Sequence, residues 1–395
     1  MFRRFLRSAA DYFRRTDKIL WLLTLTASAY GLLLIASQQR SGNVNFLGTQ
    51  AAAVFIGYAA AALISAVDYN CITRLWWLFA GFSLFLTILV FFIGIKITGT
   101  DDVGWISLPL GMTFQPSELT KIAFIITFSK HLEVLDQHSR LKSFFGVISL
   151  LLHALLPVGL IHLQGDDGAA LVFALMFIIM SFAAGVQLRY FAVLGAAAAA
   201  VMPLLWMKIM NSDQKNRLMV LFGTDDKAFS TYGWQQYQGK VSIASGGIFG
   251  KGLFSGPRVA ADVVPYQEND FIFTVAGEEL GFIGCAAIIL LFVLILLRVL
   301  KNASRTAELS GRIICTGFFA LVGTQAVINL GMVLGLLPVV GVTLPFFSSG
   351  GTSAACMYLS IGLMQSVYMH QNSTLSGHVR AELSRTTQGS VFAAM

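Results

Sequence analysis

Asp270 closes a polar stretch of about sixty residues, 208–270, and stands immediately before an apolar run that opens Phe271-Ile272-Phe273. A carboxylate at the mouth of a membrane span sits where water meets lipid, and an ionisable group held there points by default to function. Glu118 and Lys121, spaced i,i+3 near the start of another apolar run, share one helix face. They read either as a structural ion pair or as a cation, Lys121, touching an anionic substrate while Glu118 holds it in place. Glu278 and Glu279 lie two turns past Asp270. At least one must face the bundle interior, and fixing a helix contact is the simpler role.

Other segments carry weaker signals. Gly246-Gly247-Ile248-Phe249-Gly250-Lys251-Gly252 lacks the spacing and the Lys-Ser/Thr of a nucleotide-binding loop. As a glycine-rich turn it could still present backbone N–H groups and Lys251 to a phosphate. Trp105 lies in a Gly-rich connection rather than at a span end, where interfacial aromatics usually gather. His162, Asp166 and Asp167 fall in one short segment that does not specify a metal geometry, and His153, mid-span, reads as a hydrogen-bonded core histidine. Cys71, Cys285, Cys315 and Cys356 are scattered without Cys-x-x-Cys spacing and support neither a disulfide framework nor zinc.

The elements that must position these groups follow from composition. With 395 residues, 56% hydrophobic and only 12% charged, and a mean hydropathy of +0.73, the chain reads as an all-α integral membrane protein. Apolar runs near the length of a bilayer crossing recur at about 19–37, 46–67, 75–95, 119–135, 143–162, 168–186, 190–207, 271–297, 313–335 and 352–369. That makes about ten transmembrane helices, with a long extracellular loop, 208–270, between spans 7 and 8. The net charge of +7 does not indicate nucleic acid, because Lys and Arg gather in alternate connections. That bias puts both termini in the cytoplasm. Residues 1–18 form a basic interfacial segment rather than a cleaved signal, 19–370 one polytopic membrane domain and 371–395 a polar cytoplasmic tail. Three outward connections, 96–118, 239–257 and 341–353, are dense in Gly, Pro and polar residues. Irregular backbone survives at membrane depth only when buried in protein or lining a watery cavity, so they describe a cavity with Asp270 at its rim.

Four motifs in order resemble one family. They are Trp105-Ile106-Ser107 with Phe114-Gln115-Pro116-Ser117-Glu118-Leu119-Thr120-Lys121; Ile243-Ala244-Ser245-Gly246-Gly247 with Gly250-Lys251-Gly252; Asp270-Phe271-Ile272-Phe273 with Gly277-Glu278-Glu279-Leu280-Gly281; and Gly335-Leu336-Leu337-Pro338 through Leu344-Pro345-Phe346 to Gly350-Gly351. From the first span to about His370 the chain resembles the SEDS proteins (shape, elongation, division and sporulation), the RodA/FtsW/SpoVE group of bacterial cell-wall polymerases. Departures mark a divergent branch: Gly104 in place of a basic residue, Gln164-Gly165-Asp166-Asp167-Gly168 for Gln-Pro-Asp-Leu-Gly, Pro265-Tyr266 for Pro-Glu, and Ser348-Ser349-Gly350-Gly351 for Ser-Tyr-Gly-Gly. The run from Gly331 through Pro338 to Phe346 is somewhat closer to the elongation type.

The resemblance implies a peptidoglycan glycosyltransferase of the bacterial cytoplasmic membrane. It would polymerise lipid II on the outer side, transferring the undecaprenyl-pyrophosphate-linked glycan, and work with a class B penicillin-binding protein and other elongation or division proteins. Asp270 matches the family's essential aspartate, Trp105 a tryptophan associated with activity, and Glu118 and Lys121 the pair in its fourth span. On that reading Asp270 is the general base. Lys121, Arg217, Lys240, Lys251 and Arg258 are cations available to the departing pyrophosphate, and Ser348, Gly350 and Gly351 line the substrate side. A divalent cation, Mg or Mn, is implied, with Asp270 as a ligand. A flippase for the same precursor, or a non-catalytic scaffold, are the competing readings; a flippase predicts inverted repeats or paired broken helices, and no repeat is visible.

Overall fold

Long apolar runs have one sound backbone in hydrocarbon, the α-helix, because it satisfies every N–H and C=O internally. The computed structural model describes residues 11–39, 46–96, 102–107, 113–223 and 233–392. Its helices are α1 (Lys18–Gln38), α2 (Phe46–Ser65), α3 (Tyr69–Arg74), α4 (Trp76–Ile93), α5 (Pro116–Gln137), α6 (Phe144–Leu163), α7 (Asp167–Ala184), α8 (Leu188–Leu204), α9 (Ser212–Met219), α10 (Trp234–Ser245), α11 (Pro257–Ala260), α12 (Ile272–Arg305), α13 (Leu309–Val333) and α14 (Gly351–Phe392). A two-stranded ribbon, Ile106–Ser107 against Thr113–Phe114, precedes α5.

Among the described residues, eight helices are long and apolar enough to cross a bilayer. The expected runs 119–135 and 352–369 fall in α5 and α14, helices of 22 and 42 residues. The protein is an all-α, multi-pass membrane protein. α5 looks marginal in sequence because Glu118, Lys121, Lys130 and Glu133 interrupt it, yet most of its residues are buried. It packs against α4 and α13, and α13 packs in turn against α12, α7 and α14. Glu118 and Lys121, charges that lipid would reject, are sheltered by protein, and Lys130 and Glu133 pair with one another at 2.8 Å. Residues 1–10 of the basic segment lie outside the described residues. The 208–270 connection, read from sequence as a loop, contains α9, α10 and α11, and α10 packs on α12. α14 runs on through 371–392, the segment assigned from sequence to a polar tail.

α1 and α12 run side by side and set the vertical scale. Asp17 caps α1 by accepting from the Ile19 and Leu20 amides, and its Oδ2 accepts from Arg298 Nε and Asn302 Nδ2, each at 2.7 Å. Twenty residues on, near the other end, Ser37 donates to Glu279 Oε1 at 2.7 Å. At 1.5 Å per residue those tie points lie about 30 Å apart, the thickness of the hydrocarbon.

α12 breaks at Gly281, whose φ of 65° and ψ of −157° lie outside the helical region. A continuous helix would pair the amides of Phe282 and Ile283 with the carbonyls of Glu278 and Glu279. Instead the turn 246–252 enters the gap: Phe282 and Ile283 donate to the carbonyls of Gly247 and Ile248, at 2.9 and 3.2 Å, while Lys251 and Gly252 donate to those of Glu278 and Glu279, both at 3.0 Å. The turn thus engages all four backbone groups that a continuous helix would have paired there. The fit leaves no room for side chains, since a β-carbon at Gly281 would lie 2.3 Å from Gly250 N and one at Gly250 2.1 Å from Glu279 O, both at positive φ. Gly281→Ala is therefore expected to cost about 1–3 kcal/mol in backbone strain alone. A thermal midpoint equal to wild type in nanodiscs would refute the close fit.

Candidate functional site

Asp270 stands two residues before α12, and its backbone is tied from two sides. Asn329 of α13 uses both amide hydrogens, donating to the Asp270 carbonyl at 2.8 Å and to the Val342 carbonyl at 2.7 Å. Ser348 Oγ donates to the Asn269 carbonyl at 2.7 Å, and the Ser349 amide to that of Glu268 at 2.8 Å. The Pro/Gly-rich segment after α13 thus clamps Glu268–Asp270. A β-carbon at Gly341 would lie 3.7 Å from Asp270 Oδ2, so that segment passes directly by the carboxylate.

The Asp270 side chain is half-buried, and among the described residues nothing donates a hydrogen bond to its carboxylate. Burial, and after it the negative field of Glu268, Asp166 and Asp102, pushes its pKa up to about 7. Burial also raises Glu268, with Asp262 adding to the effect. A carboxyl poised near neutrality is suited to taking a proton from a hydroxyl.

Asp166, the N-cap of α7, is the second acid of the site. Its Oδ1 accepts from the Ala169 amide at 2.8 Å, and its Oδ2 from Gln115 Nε2 at 2.9 Å and Ser117 Oγ at 3.5 Å. Burial raises its pKa, against the opposing pull of the Ala169 amide and of Lys121. Glu118 and Lys121 form a buried pair at 2.7 Å. A line of charges therefore runs from α5 through the start of α7 to Asp270. Trp105 borders it: its carbonyl accepts from the Ile95 amide at 2.7 Å, and a β-carbon at neighbouring Gly104 would lie 3.8 Å from Gln115 Nε2.

The remaining sequence-predicted residues divide. Arg217 donates to the Val339 carbonyl at 3.2 Å, and Lys240 Nζ lies 3.0 Å from where a β-carbon would stand at Gly335, so both exposed cations lie along the segment that leads to Gly341. Lys251 is turned elsewhere and pairs with Glu278 at 2.9 Å. Arg258 is held by Ser242 and Gln238 of α10. The Lys251 and Gly252 amides are consumed by the α12 break and do not face solvent as an anion cradle. Ser348 and Gly350 support the backbone, Gln50 bonding the Ser348 carbonyl and the Gly350 amide, and Gly351 faces Thr49 and Ala53 of α2. Glu278 and Glu279 clamp 254–259 by accepting the amides of Phe254, Gly256, Arg258 and Val259.

His162 pairs with Asp167 at 2.6 Å, and Gln214 of α9 bonds the other oxygen of Asp167, while Asp166 turns inward. Among the described residues no group of three His, Cys, Asp or Glu is placed to hold a metal ion. His153, read as a core histidine, bonds Thr127 and His131 at 3.2 and 3.0 Å. Sequence reasoning missed Asn329, whose signal is a side-chain amide one turn after Gln325 in an apolar run. It saw Asp166 as a metal candidate and within a divergent family motif, although an aspartate opening a helix is also a capping signal.

Residues 17–373 match the family of FtsW, RodA and SpoVE, described as cell cycle proteins. A probable peptidoglycan glycosyltransferase FtsW of Geobacter sulfurreducens is 33% identical over 367 residues, covering 89% of this chain and 95% of the relative. The peptidoglycan glycosyltransferase MrdB of Escherichia coli is 30% identical over 291 residues, covering 73% and 77%. Among solved structures, a chain from work on polymerization and crosslinking by a peptidoglycan synthase complex superposes with a TM-score of 0.76 at 28% identity, covering 90% of this chain and 98% of its own. The rod shape determining protein RodA of Thermus thermophilus gives 0.67 at 27%, covering 90% and 97%.

Proposed function

The chain belongs to the FtsW/RodA/SpoVE family, and from that premise we propose that it is a peptidoglycan glycosyltransferase polymerising lipid II on the outer face of the bacterial cytoplasmic membrane. Ten spans, cytoplasmic termini and an outward Asp270 complete this reading, which the alternating placement of Lys and Arg supports. The observation that carries the chemistry is Asp270, an acceptor without a donor among the described residues, raised toward neutrality beside a clamped, glycine-lined segment.

In the proposed step Asp270 takes the proton from the acceptor sugar 4-hydroxyl. That oxygen attacks the anomeric carbon of the donor glycan, a β-1,4 bond forms with inversion, and the bond to undecaprenyl pyrophosphate breaks. The exposed Arg217 and Lys240 supply positive field toward the leaving group, while Lys121 acts on Asp166, whose pKa rise it opposes. Trp105 borders the acceptor side. The fit to a divalent ion rests on Asp270, an open carboxylate among other acids, which suits Mg²⁺ or Mn²⁺ held by one carboxylate together with substrate phosphates. Such an ion would neutralise charge growing on the pyrophosphate. A class B penicillin-binding protein is the proposed partner, within the elongation or division machinery.

The test is polymerisation of lipid II by the purified chain with that partner, read as a ladder of glycan lengths. Movement of lipid II across a proteoliposome without polymer would replace the enzyme by a flippase; neither product nor movement would leave a scaffold. The base role also sets a pH dependence. A raised carboxyl is protonated and idle below its pKa, so without added divalent cation, whose binding to Asp270 would lower that pKa, the rate should fall about tenfold per unit as pH drops below about 7 and level off above it. A rate that is flat from pH 5 to 8 would exclude Asp270 as the titrating base.

A further inference from the structure

The turn that fills the α12 break carries two large, exposed apolar side chains. Ile248 is 63% exposed and Phe249 79%. They flank the point where Gly247 and Ile248 accept from the amides of Phe282 and Ile283, themselves exposed. From there the uncovered face of α12 continues through Leu290, Leu294 and Leu297, the side of a span that faces acyl chains. The tip of the turn extends that face by one step.

Depth is fixed by the α1–α12 scale. Arg298 marks one edge of the hydrocarbon and Glu279, bonded to Ser37, the other. The carbonyls of Glu278 and Glu279 hold the turn, so its tip lies level with that second edge, where burying Ile248 and Phe249 in lipid removes apolar surface from water.

We propose that the 246–252 turn is a membrane anchor, Ile248 and Phe249 lying in the outer ends of the acyl chains of the leaflet at the Asp270 end of the bundle. The anchor bears on the functional site through one short path. Lys251 is paired to Glu278, and Glu278 lies in the last turn of the nine-residue helical segment, 272–280, that begins two residues after Asp270. Lipid packing at that leaflet therefore acts on the segment that positions the carboxylate. The inference stands on the turn and the span alone and does not depend on which reaction Asp270 serves.

The experiment uses the full chain in phosphatidylethanolamine/phosphatidylglycerol proteoliposomes. Cys71, the exposed cysteine, is replaced by serine, and nitroxide labels are placed singly through Phe249→Cys, Ile248→Cys, Leu290→Cys as a lipid-facing control and Gln235→Cys as an aqueous control. Collision with oxygen and with a water-soluble nickel chelate is then measured. Labels at 248 and 249 should favour oxygen over nickel several-fold more than the label at 235, approaching the ratio at 290. A nickel accessibility matching position 235 would overturn the anchor. So would protection from both reagents, which would mean that a second protein segment covers the tip.

Discussion

Asp270→Asn should reduce lipid II polymerisation by on the order of 10²–10⁴-fold, the range a positioned general base supplies. The substitution keeps the shape of the side chain and the backbone carbonyl that Asn329 holds at 2.8 Å, so the clamp around Glu268–Asp270 stays assembled. It removes the ability to accept a proton. The variant should migrate as a folded monodisperse protein and unfold at the wild-type temperature. Its residual rate should no longer fall as pH drops below about 7, because the titrating group is gone. A loss of only a few-fold would reduce Asp270 to a positioning group and assign the proton elsewhere.

The second large effect concerns the buried Glu118–Lys121 pair. Lys121→Met leaves Glu118 without its partner at a site where both side chains are almost fully buried. Breaking such a pair from one side costs about 3–5 kcal/mol, enough to deplete the folded protein in the membrane. Glu118→Gln combined with Lys121→Met removes both charges and should restore most of the lost stability, since a buried pair can often be replaced at little net cost. Activity should not return with it. The Lys121 charge acts on Asp166, and Asp166 on Asp270, so neutralising the start of that line alters the field at the reacting end. Thermal midpoint and polymerisation rate measured on the three variants separate the two roles. A stable single variant, or a fully active double one, would contradict this assignment.

Much of this architecture was legible because hydrocarbon imposes a simple grammar. Each expected apolar run corresponds to a helix, and Asp270 stood out as a carboxylate at the opening of one. α5 was the exception by length: its charges interrupt the run, and only the surrounding helices show why they are tolerated. The glycine-rich turn was read for its free amides because nothing local reveals that a helix thirty residues downstream would need them. Gly281 is the one trace, and an isolated glycine in an apolar run does not say whether the helix bends or breaks. Asp166 and Asn329 were obscure for the same reason, since their closeness to Asp270 depends on how α7 and α13 pack. Lys251 and Arg258 show the limit from the other side: charge and glycine context suggested anion binding, while their partners are Glu278 and α10.

The exchanged rungs at Gly281 also restrict how the upper half of α12 can move. Two donors and two acceptors of the helix are engaged by the turn at fixed positions. Slippage by one residue would break all four bonds at once, so ratcheting past the lower shaft is forbidden, whereas a small tilt about the glycine keeps the same donors and acceptors paired. Any displacement that the shaft of α12 passes to the carboxylate must then arrive as a swing about a locked pivot.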